Sequence, residues 1–472
     1  MSDDKSVQIP PGRPGNLTAE QEAKLKELWI ALAKITGIPF EELAGSGESG
    51  SSVTNGTAET ADTTPASSIA ESDGKGDRKK SKRLHLFKRS DKHKDKDREK
   101  AAKETAANAA DVDVGNLSLE DDKHGMNKAF QAALAETTPE ELRAYLWGMV
   151  KHDNPDALLL RFLRARKWDV QAALIMLISA LRWRATEIHV DDDIVRAGEG
   201  GALEQSKSAD AAVKKEGEDF MSQLRMGKSF VHGVDKDGRP MCYVRARLHK
   251  PGEQSEQSLE RYTVYLIETA RMMLSPPVDT ATLVFDLSNF TLANMDYTPV
   301  KFIIKCFEAN YPESLGAVLV YKAPWVFQGI WAIIRGWLDP VVASKVHFVK
   351  GADELSEFVP RANIPKEMGG DEDWTYTYIE PKDNENALMQ DAAARDKLQH
   401  ERDEIVRRYE ETTAAWVLGG TSDTDALKKE REELAKELRT NYWKLDPYLR
   451  ARTLYDRNGD LGPEGELNFY KK

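Results

Sequence analysis

Hydrophobic and polar positions divide this chain into helical, alternating and patternless stretches. Within Leu17–Ile35, the residues Leu25, Leu28, Trp29, Leu32 and Ile35 recur at helical spacing. Thr18 can cap that helix, with Gln21 at the capping-box position. Pro139–Val150 and Pro155–Lys167 repeat the helical pattern; Asn154 caps the second and Pro155 takes its first position. Asp169 then caps the strongly apolar Val170–Arg184. After a helical linker around Asp210–Leu224 the period changes. Ser229–Val234 and Met241–Leu248 read as strands joined through Asp235-Lys-Asp-Gly238, a turn signal. Helix Leu259–Leu274 follows, stopped by Pro276-Pro277. Next come strand Thr282–Leu287, helix Tyr297–Asn310, strand Ala317–Tyr321, helix Trp325–Leu338, strand Val346–Val349 and helix Asp353–Phe358. Alternating strands and helices predict an α/β fold: a helical N-terminal subdomain, then a mostly parallel sheet with right-handed crossover helices. Leu315–Val320 is a short apolar run, as expected of a strand covered on both faces.

The segment Trp325–Leu338 changes the reading from fold to function. Only Gln328, Gly329, Arg335 and Gly336 interrupt its apolar residues. A helix with so little polar surface must bury itself, yet it is too short for a bilayer, which takes about 20 apolar residues. The expectation is a movable cover over a greasy cavity, a gate helix. It would present Trp325, Phe327, Ile330, Trp331, Ile334, Trp337 and Leu338, with Gly329 and Gly336 as hinge positions ahead of Pro340. The aromatic residues would equally serve as ordinary core.

The rest of the chain sets limits. Residues 1–118 read as largely disordered apart from the helix near 17–35. Ala44–Asp73 is rich in Gly, Ser and Thr and cannot build a core. Gly45-Ser-Gly-Glu-Ser-Gly50 matches a dinucleotide fingerprint in letters only, since no strand precedes it. Residues 119–190 form the expected helical subdomain, 215–376 the sheet domain and 385–472 a helical extension. In that extension Leu398, Ile405 and Trp416 mark one stripe, and Leu427, Leu434, Leu438 and Leu445 another. Net charge is −12, unevenly spread: Lys75–Lys100 holds 13 Lys/Arg against 5 Asp/Glu, net +8, leaving −20 elsewhere. An acidic body argues against nucleic acid as the main partner. The basic stretch fits either anionic lipid headgroups or a solvated linker. Polar Met1–Gly15 is no signal peptide, and Cys242 and Cys306, the two cysteines, fit a reducing compartment. Asp456-Arg-Asn-Gly-Asp460 departs from the full calcium-loop ligand pattern and reads as a turn. No nucleophile elbow, P-loop or metal-ligand spacing occurs, so no catalytic or metal-ligating residue is assigned and an enzyme is not expected.

Three blocks in register carry a resemblance. Leu159-Leu-Arg-Phe-Leu-Arg-Ala-Arg-Lys-Trp-Asp169, Tyr311-Pro-Glu-Ser-Leu-Gly316 followed by Ala323-Pro324, and Leu338-Asp-Pro-Val-Val-Ala-Ser-Lys345 resemble the CRAL-TRIO lipid-transfer family, in particular its yeast-type, fungal phosphatidylinositol transfer proteins. The resemblance spans roughly Pro139–Asp373. It implies a lipid cavity between sheet and helices closed by the gate helix, holding one phospholipid and no other cofactor. It also implies a headgroup site at Arg166, Lys167, Glu313, Asp339 and Lys345. Guanidinium pairs well with a phosphodiester, and a carboxylate beside a lysine satisfies hydroxyls that both donate and accept. From spacing alone Glu313 and Lys345 fit a surface ion pair, and at least two of Arg161, Arg164, Arg166 and Lys167 a solvated helix face. Ala293 stands where the founding member of the family has a second serine beside the hydroxyl that Thr291 keeps, and Val342 replaces a hydroxyl near the inositol site. The implied function is non-catalytic transfer or presentation of phosphatidylinositol, with phosphatidylcholine poor or absent. The implied setting is cytoplasmic and peripheral to membranes, as a monomer with membrane surfaces and lipid kinases as contacts. A sterol or isoprenoid carrier is the alternative.

Overall fold

The computed structural model describes residues 9–46, 100–109, 122–419 and 424–471. The Gly45–Gly50 fingerprint lies mostly, and the basic stretch before Lys100 wholly, outside the described residues. Five strands form one sheet in the order β1 Ser229–Val234, β2 Pro240–Arg245, β3 Ala281–Asp286, β4 Leu315–Tyr321 and β5 Val346–Val349. The Asp235 turn makes β1 and β2 antiparallel, while β2 through β5 run parallel. Each parallel step is bridged by a helical segment: Glu256–Met272, then Tyr297–Lys305 extended by the π-helix Cys306–Asn310, then Phe327–Arg335. The α/β expectation therefore holds.

Because successive strand residues face opposite ways, the sheet's two faces can be read from the sequence. Met241, Tyr243, Val284, Ala317, Leu319 and Tyr321 pack on one side against Leu355, Val359, Ile364 and Met368. The intervening Cys242, Val244, Leu283, Phe285, Val318 and Val320 face the other side, which is hollow. The helical subdomain is built on Met126–Glu136, Pro139–Val150, Pro155–Ala165 and Val170–Arg182.

The helix Ala19–Thr36 carries the expected Thr18 capping box, but it does not stand apart on a loose tail. Leu25, Leu28, Trp29 and Leu32 are buried in the same core as Leu159, Phe162 and Ile175. Trp29 Nε1 donates to Asp156 Oδ1 at 2.8 Å, and Arg431 of the C-terminal helix Thr424–Leu449 donates to the same oxygen at 2.6 Å. Val406, Tyr409, Trp416, Leu434 and Leu438 join that core, so both ends of the chain brace the helical subdomain. Asp456 is engaged by Arg450 at 2.7 Å and 2.8 Å and by Arg452 at 3.1 Å, within a capped turn.

Candidate functional site

The hollow face of the sheet bounds a cavity of about 270 Å³. Helices Glu256–Met272, Tyr297–Lys305 and Phe327–Arg335 close it with Leu266, Ile267, Val300, Ile303, Phe327 and Ile334. The lining is mostly apolar because the inward positions of the strands and of the three helices are largely aliphatic or aromatic. Cys242 lies in it too, and burial pushes its thiol up to about 12, so it is a small apolar wall rather than a nucleophile.

The gate helix is shorter than expected, Phe327–Arg335 rather than Trp325–Leu338. Phe327, Ile330 and Ile334 are buried beneath it, and Trp331 and Leu338 line the cavity. Trp325 does not: it is 86 % exposed, outside the cavity, because the chain leaves β4 through a turn before the helix begins. Trp337 sits beyond the cavity lining, edge-on to Tyr297 at 5.3 Å and beneath the Lys301 ammonium at 4.8 Å. Gly329 has open space where a Cβ would point, and Gly336 caps the helix with an ordinary φ of −67°. Neither position therefore requires glycine on conformational grounds.

At the N-terminal ends of β4 and β5, Lys345 Nζ lies 3.9 Å from Glu313 Oε2, both side chains about one-fifth exposed. Glu313 has φ +54°, a left-handed backbone that non-glycine residues avoid. Arg161 holds it there, donating from Nη1 to the Glu313 carbonyl at 3.0 Å. Arg161 and Arg164 are not a wet helix face. Arg161 is buried, while Arg164 donates to the Gly12 carbonyl at 2.7 Å and to Asp279 at 3.2 Å. Burial and the neighbouring Arg13 lower Arg164 to about 10. Arg166 is half-buried against the Met126 sulfur at 3.3 Å, and Lys167 is exposed with φ +51°. The structure thus joins Glu313 with Lys345 and brings Arg161 to them.

Asp339 caps the short helix Pro340–Ser344, accepting from the Val341 N–H at 2.7 Å. Its own N–H donates to Glu308 Oε1 at 2.7 Å. Glu308 escaped the sequence reading. Its other oxygen accepts from Lys123 at 2.7 Å and is paired with His124 at 2.8 Å, and Lys123 also donates to the Trp337 carbonyl. Burial works to raise the Glu308 carboxyl, but His124, Lys123 and the Asp339 N–H together hold it below its usual range. The end of the gate is in this way tied to the helical subdomain.

Around the gate the outer surface carries large apolar residues. Trp325, Ile333, Val341 and Phe348 are all exposed, and Phe348 touches Trp331 edge-on at 5.4 Å. No helix among the described residues is long and apolar enough to cross a membrane.

Residues 224–370 match the CRAL/TRIO domain, and residues 126–179 match the CRAL/TRIO N-terminal domain. A CRAL-TRIO domain-containing protein of Schizosaccharomyces pombe is 41 % identical over 96 % of this chain and 93 % of its own length. A phosphatidylinositol transfer protein of Eremothecium gossypii is 39 % identical over 96 % of this chain and 98 % of its own. A second S. pombe CRAL-TRIO domain-containing protein is 27 % identical over 70 % of this chain and 90 % of its own length.

Proposed function

The chain belongs to the CRAL/TRIO family, and from that premise we propose that it is a phosphatidylinositol carrier that moves lipid between membranes or presents it to a lipid kinase, making and breaking no bonds. The observation that carries the reading is the apolar cavity, lined by Ser314 and Val346 next in the chain to the Glu313–Lys345 pair, with the apolar helix Phe327–Arg335 over it. Acyl chains in the cavity contribute about 0.8 kcal/mol per buried methylene. That term is blind to headgroup, so identity falls to the polar end. There Glu313 accepts from inositol hydroxyls and Lys345 donates to them, while Arg166 and Lys167 would meet the phosphate and Asp339 would accept from a further hydroxyl.

In water the gate covers its buried Phe327, Ile330 and Ile334. At a bilayer the exposed Trp325, Ile333, Val341 and Phe348 enter the interface, and opening the gate no longer exposes apolar surface to water. The chain acts as a monomer that touches cytoplasmic membrane surfaces peripherally. Phosphatidylcholine is carried poorly, since Ala293 offers no hydroxyl and Thr291 Oγ1 is spent on Asn294 at 2.9 Å. The test is transfer of labelled phosphatidylinositol and phosphatidylcholine between vesicles. Transfer of the first well above the second supports the reading, and equal transfer of both overturns the selectivity.

A further inference from the structure

The cavity has a second polar end. Lys228, just before β1, lines it, as do Ser229, His249 and Asn294. Lys228 is 6 % exposed. Its Nζ donates to Gln254 Oε1 at 2.8 Å, and no carboxylate among the described residues forms an ion pair with it. Burial lowers its pKa to about 8 against the more distant pull of Glu253, Asp296 and Asp219. Two of these have other partners: Asp296 faces His249 at 3.3 Å and caps the Thr298 N–H at 3.0 Å, and Asp219 holds Lys215 and the Ser255 N–H. An ammonium buried beside an apolar space without a counter-charge is costly, and lysines almost never sit there unpaired.

The position of this end matters. Arg245 at the end of β2 donates its backbone N–H to Lys228 at 2.8 Å, and Arg245 is in register with Asp286 at the end of β3. Glu313 and Lys345 instead precede β4 and β5. The two polar ends are therefore separated by a strand length, roughly 20 Å at about 3.3 Å per residue. A phospholipid with its head at Glu313 and Lys345 would bring only terminal methyls toward Lys228, and a methyl cannot pair an ammonium.

We propose that Lys228, with Ser229, His249 and Asn294 around it, is a second subsite that takes the anionic end group of a lipid, a carboxylate or a phosphomonoester, inserted head-inward. The proposal rests on the reading of the cavity as a lipid site, but not on phosphatidylinositol being its occupant. Charge-assisted hydrogen bonds from Lys228 to the anion, with the Ser229 hydroxyl donating beside it and Asn294 held by the Arg247 and His249 carbonyls at 3.1 Å and 2.9 Å as part of the wall, complete the pairing that the cavity leaves open.

The test uses the delipidated full chain. Binding of oleate, oleoyl lysophosphatidate and oleyl alcohol is measured for wild type, Lys228→Met and Lys228→Arg, with vesicle-to-vesicle phosphatidylinositol transfer as a separate readout. The expected result is that wild type binds at least one anion about tenfold or more tighter than the alcohol, that Lys228→Met loses this preference, and that Lys228→Arg keeps it. The anion preferred distinguishes carboxylate from phosphomonoester. Equal binding of alcohol and both anions by wild type, or an undiminished preference in Lys228→Met, overturns the subsite. Because the wild-type comparison alone can overturn it, a Met variant that fails to fold does not shield the proposal. A Lys228-dependent preference without phosphatidylinositol transfer would keep the subsite and remove the carrier reading. Transfer without any such preference would do the reverse.

Discussion

Glu313 offers a substitution that separates binding from stability. Its φ of +54° costs a residue with a Cβ about 1–2 kcal/mol relative to glycine. Glu313→Gly releases that strain, less about 0.5–1 kcal/mol for the greater freedom of glycine in the unfolded chain. The lost contact with Lys345 is 3.9 Å long and partly solvated, so it is worth about 0–1 kcal/mol. The Arg161 bond is to the backbone carbonyl and survives. The sum lies within about 1.5 kcal/mol of zero, or a few degrees of melting temperature. The ligand loses a charged hydrogen-bond acceptor, worth about 1.5–3 kcal/mol, or roughly 10- to 150-fold in headgroup affinity. Phosphatidylinositol transfer between vesicles and thermal unfolding of delipidated protein are the paired assays. Wild-type transfer by Glu313→Gly would refute the headgroup assignment. Near-complete unfolding of the variant at room temperature would show Glu313 to be structural.

The gate has an inward and an outward face. Ile334→Asp puts a carboxylate under the gate and should empty the cavity of co-purifying lipid. Ile333→Asp, on the exposed side, should keep the lipid and weaken vesicle association; identical behaviour of the two would contradict the two-faced gate. Glu308→Gln weakens the Lys123 and His124 contacts and should raise the rate of spontaneous lipid exchange several-fold without changing which lipid is bound, as read by stopped-flow release of a fluorescent analogue. His152 packs within 5.7 Å of Tyr442 and 5.3 Å of Trp443, and burial together with Arg439 and Arg271 lowers its pKa to about 3. Between about pH 6.5 and 3 the unfolded chain holds a proton that the native one lacks, so stability falls as pH falls, by about 1.4 kcal/mol per unit. From pH 6.5 to 5 this residue should remove roughly 2 kcal/mol, visible as a shift in urea midpoint that His152→Phe abolishes.

The strand pattern was readable because period-two alternation encodes both faces directly. Cys242 and Val244 alternate with Met241 and Tyr243, and the cavity wall follows from that alone. Glu313 and Lys345 stand 32 positions apart, but each precedes a parallel strand, which brings them together at one end of the sheet. What stayed hidden depends on tertiary partners. The stripe of Ala19–Thr36 shows that one helix face must be buried but not against what, so its place in the core of the helical subdomain could not be read. Arg161 and Arg164 occupy positions that suit a solvated face until Glu313 and Asp279 arrive from more than 100 residues away. Trp325 belonged to the apolar run by composition, and only the turn that precedes the gate turns it outward. Glu308 lay in what read as an ordinary crossover helix. Its role depends on Lys123 and His124, which are contributed by the helical subdomain. Lys228 stands one position before a strand, and only the cavity beside it makes its charge unusual.

The central claim is that the cavity carries phosphatidylinositol, and native mass spectrometry of the purified full chain, followed by lipid extraction, tests it most directly. The account predicts one phosphatidylinositol per chain in wild type and none in a folded Glu313→Ala/Lys345→Ala variant. A sterol, an isoprenoid or an empty cavity in both proteins would contradict it.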